Sequence, residues 1–153
     1  MPSSVSISSL AALENPRAIP STKFILFDAQ IYLGSSEPAF VGSLRYFNED
    51  NLEFEKVACY VTYVIVFYFF SDKLAPVDYH AFGDIIYLVS LGFPENINPK
   101  HHAIVHICGS PSAVDKDNST FDLTAEQYLS ANKAYDNRFP VHCVFPDTAR
   151  WKK

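Results

Sequence analysis

One segment limits the folding options more than any other: the stretch Phe54 to Phe70, within which Val57 to Phe70 is an uncharged apolar run of fourteen residues. A membrane-spanning helix needs about 20 such residues, so the run falls short of a span. Its content of Val, Ile, Tyr and Phe suits a pleated surface better than a helix. Read with period two, one face carries Cys59, Val61, Tyr63, Ile65, Phe67 and Phe69. The other carries Tyr60, Thr62, Val64, Val66, Tyr68 and Phe70. Neither face is charged, so either both are covered or one is an exposed aromatic platform.

The rest of the chain offers similar but shorter signals. Strands are expected at Lys23 to Leu33, Phe40 to Phe47, Asp84 to Leu91, Ala103 to Gly109 and Phe139 to Phe145. Turn residues separate them: Gly34-Ser35-Ser36, Asn48 to Asn51, Gly92-Phe93-Pro94 and the loop Asp115 to Thr120. One short helix is expected at Thr124 to Asn132, where Thr124 and Gln127 have the spacing of a capping box. Residues 1 to 22, rich in Ser and Ala, read as a flexible leader without the basic start of a secretion signal. A single β-barrel domain is then expected over 23–153. The fold class is all-β, a small barrel of about five to six strands with one short helix.

The phrase Gly83-Asp84-Ile85-Ile86-Tyr87-Leu88-Val89, following a very long strand, resembles the central strand of single-strand-binding OB (oligonucleotide/oligosaccharide-binding) domains. The resemblance extends over roughly residues 23–145. It implies an OB-like barrel and a non-catalytic module for single-stranded DNA or RNA. The ending Pro146 to Trp151 resembles that of a fungal protein type, which implies no activity.

Composition bears on that function. Twelve basic residues stand against seventeen acidic ones, a formal charge of −5, which excludes binding through bulk positive charge. The stretch Lys133 to Lys153 is locally basic, with five cations and two carboxylates. Single strands are held by bases stacked on aromatic rings, with a few cations along the phosphates. The candidate rings are Tyr60, Tyr63, Tyr68, Tyr87 and Trp151, and the candidate cations Lys56, Lys73, Lys100, Arg138 and Arg150. The bland reading of the same tyrosines is half-buried packing with the hydroxyl in water. The rival function is a protein-protein interaction subunit, or a homo-oligomer, using the same aromatic strand face, which an acidic chain suits better. The two readings differ in one observable: cations beside the exposed rings, or an uncharged apolar centre.

Catalysis finds little support. The chain has no Gly-x-Ser-x-Gly, P-loop, Gly-x-Gly-x-x-Gly or His-Glu-x-x-His. Cys108 or Cys143 with His106 or His142 offers a nucleophile and a base only if distant strands bring them together. The same residues with His101 and His102 lack zinc-ligand spacing, so no metal and no cofactor is expected. The acidic pairs Glu49/Asp50, Glu53/Glu55 and Asp115/Asp117 sit in polar stretches where solvated charge is the default. The sequon at Asn118 reads as a turn. Three widely spaced cysteines in apolar runs form no disulfide framework, which favours a reducing compartment, nuclear or cytoplasmic.

Overall fold

The computed structural model describes residues 4–34, 38–68, 79–92, 95, 97–126 and 138–145. Among them nine strands run β1 (Ser4–Ala18), β2 (Phe24–Ile31), β3 (Phe40–Phe47), β4 (Val57–Tyr68), β5 (Ala81–Gly92), β6 (Ile104–Cys108), β7 (Ser110–Asp115), β8 (Thr120–Glu126) and β9 (Arg138–Val144). Among the described residues there is no α-helix, and no helix long and apolar enough to cross a membrane. The fold is all-β.

The chain divides into two compact units, Ser6–His106 and Met1–Val5 with Ile107–Lys153, where one barrel domain over 23–153 was expected. In the larger unit five strands close into a ring. β1 pairs with both β2 and β4, β2 with β3, β3 with β5, and β5 with β4. Every pairing is antiparallel except β3 with β5. The smaller unit holds the antiparallel sheet β7-β8-β9.

The expected leader is corrected. Ser4–Ala18 is the longest strand, and residues 11–14 are paired on both edges, to β2 and to β4. Ser and Ala do not favour strands, and the local signal is confined to the short alternation Ser4-Val5-Ser6-Ile7-Ser8. Small side chains suit the place, however: Ala11 is fully buried, and the Ser9 hydroxyl lies 3.0 Å from that of Thr62 inside the ring. The interior alternates as a pleat requires, with Ile7, Leu13, Phe27, Leu44, Val64 and Ile85 all buried. Phe54, in the loop before β4, packs edge-on against Phe27 at 5.0 Å and Tyr46 at 5.9 Å. That loop is braced by Asn48, whose side chain accepts from Leu52 N and donates to Leu52 O.

The helix expected at Thr124 is also corrected where it can be seen. Thr124 to Glu126 end β8, paired to Pro140, Phe139 and Arg138 of β9, and the remainder lies outside the described residues. The Asp115 loop forms the β7–β8 turn. Asp115 accepts from the backbone N–H of Asp117 and Asn118 and from the Asn118 amide, which hold its carboxyl below its usual range.

At Gly83 on β5 the packing leaves no room for a side chain. An added Cβ would lie 2.7 Å from Val64 Cγ1 and 2.8 Å from the Ile65 carbonyl, whereas at Gly42 the nearest atom would be at an ordinary 3.5 Å. Gly83→Ala is therefore expected to cost about 1–3 kcal/mol through overpacking. Gly42→Ala should cost well under half of that. Urea unfolding followed by far-UV circular dichroism measures both, and equal midpoints would contradict the packing.

Candidate interaction face

β4 presents its residues alternately. Tyr60, Thr62 and Val64 point into the ring and are buried, while Val61 and Tyr63 point out. The outward residues meet their equivalents on β5: Tyr63 opposite Tyr87 and Val61 opposite Val89. On the other side, β1 places Ser8 beside Tyr63 and Leu10 beside Val61, both half-buried.

Two register shifts enlarge this outer face. Tyr63 pairs with Tyr87 but Val64 pairs with Ile85, leaving Ile86 as an extra residue. Leu91 is the extra residue in the same way, between the pairs Tyr60–Ser90 and Cys59–Gly92. A bulge breaks strict alternation and re-aims a side chain. Ile86 is 56% exposed, Tyr87 59% and Leu91 45%. With Val61, Tyr63 and Val89 they make six exposed large apolar side chains on two neighbouring strands. None of the residues paired across these rows, from Ser8 to Leu10, Val61 to Tyr63 and Tyr87 to Ser90, is charged.

The ring surface formed by β2, β3 and the start of β5 differs in kind. Phe24 and Phe47 meet edge-on at 5.2 Å, and the Arg45 guanidinium lies 4.4 Å over the Phe24 ring. Arg45 also donates twice to Asp84, at 2.7 and 2.8 Å, which raises its own pKa. Next to it, Arg17 donates twice to Asp28, which also accepts from Tyr79 and Asn15. The Arg17 hydrogen bonds, above all, hold the Asp28 carboxyl well below the usual carboxylate range. Both arginines thus spend their charge on an aspartate of the same chain.

The sequence-derived candidates separate accordingly. Tyr63 and Tyr87 are brought together and exposed. Tyr60 is a correction: its ring faces inward, 5% exposed, and burial pushes its hydroxyl up. Lys56 is exposed, but seven residues along the chain from Tyr63 is about 20 Å. It lines an open groove of about 410 Å³ with Asn15, Pro16, Arg17 and Phe54. Lys100 is exposed in the connection before β6. The side chains of Tyr68 and Arg138 and all of Lys73, Arg150 and Trp151 lie outside the described residues. Arg17, Phe24, Arg45, Phe47 and Tyr79 were not singled out, because their partners lie far off in sequence.

His142 Nδ1 is 2.7 Å from Asp122 Oδ1 on β9 and β8, and Cys143, the next residue, is paired to Phe121. Cys59 is fully buried, which pushes its thiol up, and all three cysteines are free. Among the described residues no group of three His, Cys, Asp or Glu is placed to hold a metal ion.

Comparison with family models, with curated proteins and with solved structures finds no match.

The Asp28 network gives a pH-dependent test. Because the folded-state pKa lies below the unfolded value near 3.8, its stabilisation is full above that value and lost as pH falls through the folded one. Asp28→Asn should cost about 1 kcal/mol at neutral pH, the exposed side of Arg17 weakening the pair. The gap between variant and wild type should narrow below about pH 4, as measured by urea midpoints across pH. A gap independent of pH would assign the effect to shape and not to charge.

Proposed function

We propose that this chain is a non-catalytic binding module that docks a protein partner through the outer face of β4 and β5. The observation that carries the reading is the set of six exposed apolar side chains around the Tyr63–Tyr87 pair, without a charge in their rows. Scattered exposed apolar residues are ordinary, but a contiguous uncharged patch containing two tyrosines has the composition of an interface centre. The partner chemistry that fits is an uncharged, aliphatic or aromatic protein surface. The three free cysteines support action in a reducing compartment, cytoplasmic or nuclear. Selection of peptides from a random library provides the test. Aromatic and aliphatic sequences should be enriched on the wild type and lose at least tenfold in affinity on Tyr87→Asp. Selected peptides that bind the variant equally well would refute the docking face.

A specific observation favours a second reading, an OB-type module for single-stranded nucleic acid. A closed five-stranded ring, in the order β1-β2-β3-β5-β4 and back to β1, supports the resemblance to OB domains drawn from the sequence. Such barrels take oligonucleotides on the β2–β3 face, where Phe24, Phe47 and Arg45 stand here. Neutralisation of Arg17 and Arg45 by aspartates weighs against strong phosphate binding. If single strands bind, two or three phosphate contacts at about −0.7 each give a slope of log affinity against log salt near −2. Phe47→Ala should then cost about 1–3 kcal/mol while Tyr87→Ala leaves affinity unchanged. Fluorescence anisotropy at low salt decides it, and no binding to any single strand removes this reading.

A further inference from the structure

We infer that the apolar face of β4 and β5 receives a second copy of this chain, so that the module acts as a homodimer. This rests on the docking reading above and names its partner. Six large side chains, each roughly half exposed, present on the order of 500 Å² of surface. A stable pair buries about 800 Å² per subunit, an apolar centre inside a polar rim, and the patch has the size of that centre.

Charge distinguishes the occupant. In a two-fold contact the same surface meets itself, so any charged group near the axis faces a like charge and is desolvated beside it. The rows Ser8–Tyr63–Tyr87 and Leu10–Val61–Val89 hold no Lys, Arg, Asp or Glu, and Asp84 in the next outward row, opposite Ile65, is already paired with Arg45, so self-contact carries little such cost. A partner chosen by opposite charge would find nothing to pair with at this centre. Outside it the chain carries a net charge of −5, and two copies repel through solvent. The dimer should therefore tighten as salt rises, whereas phosphate binding on the β2–β3 face would weaken.

Sedimentation equilibrium from about 1 to about 300 μM, at low and high salt, tests the inference. The wild type should dimerise, more tightly at high salt. Tyr87→Asp and Val89→Asp should each raise the dissociation constant at least tenfold. Val144→Asp, at a site 70% exposed on β9, should leave it unchanged. Should both patch variants misfold by circular dichroism, amide hydrogen exchange on the wild type serves instead: protection of residues 86–91 should rise with concentration. A wild type that stays monomeric overturns the inference, as do patch variants that dimerise normally, or exchange at 86–91 independent of concentration. A monomer that still selects Tyr87-dependent peptides would overturn the second copy alone. A dimer whose peptides ignore Tyr87→Asp, and which the patch variants do not split, would overturn the docking reading as well.

Discussion

A single strand closes the barrel, and the arrangement of both outer surfaces depends on that closure. Residues 11–14 of β1 use both backbone edges, one on β2 and one on β4, so this part of the ring has no free edge to template other chains. To serve two partners β1 must bend, and the bend falls between Glu14 and Arg17, where the β2 register shifts. Asn15 there has φ of 50°, a left-handed conformation that Asn tolerates better than most side chains. Pro16 has no N–H to donate and so fits a point where the ladder is interrupted. Past the bend Arg17 lands opposite Leu26 and reaches Asp28, so the ion pair on the outer surface is a consequence of the closure.

Closure also divides the outside into two surfaces with different physics. Around β2 and β3 the polar groups satisfy one another: Arg17 with Asp28, Arg45 with Asp84. Such half-exposed pairs add little net stability, but they leave small electrostatic demand on a ligand. Around β4 and β5 the polar groups are hydroxyls, those of Tyr63, Tyr87 and Ser90 among them, and apolar area is exposed. At about 25 cal/mol per Å², covering some 500 Å² would release on the order of 12 kcal/mol gross. Most of that is consumed by lost translational freedom and side-chain ordering. What survives fits an interface of ordinary strength and accounts for an exposed patch compatible with a free chain.

Elements are legible in the sequence where local pattern and tertiary pairing agree. β3 has the expected bounds, and β4 and β5 are shifted by only a few residues, because apolar alternation and Gly or Asn punctuation mark them. The two faces of β4 were also legible, since period two is intrinsic to the strand, although which face turns inward depends on partners. Legibility is lost where partners override propensity. β1 is rich in Ser and Ala, whose small side chains the closure accommodates. Thr124 has the spacing of a helix cap, yet backbone pairing with Pro140 takes it into a strand. The enlargement of the β4–β5 face was invisible for a related reason. Ile86 and Leu91 become extra residues only through the register against β4, a strand distant in sequence. Arg45 and Asp84, 39 apart, meet only because β3 and β5 run in parallel.

The distribution of charge then bears on how this barrel can recognise anything. A chain with five more carboxylates than cations could place its arginines at a binding surface to offset the excess. Here the two arginines of the ring's described surface are held by its own aspartates, and the exposed apolar residues paired across β4 and β5 have no cation in their rows. Electrostatic steering of an anionic ligand by these arginines is correspondingly weak, and a partner docking as proposed at the β4–β5 face would arrive without long-range guidance. On the docking proposed above, selectivity comes from short-range fit, in which the Tyr63–Tyr87 pair supplies directionality. Each ring is flat, loses few rotamers on docking, and carries one hydroxyl that rejects a partner offering no acceptor or water path. An interface of this kind is tuned by shape and one or two hydroxyls. Exchanging Tyr for Phe at 63 or 87 would therefore alter which surfaces are accepted more than how much area is buried.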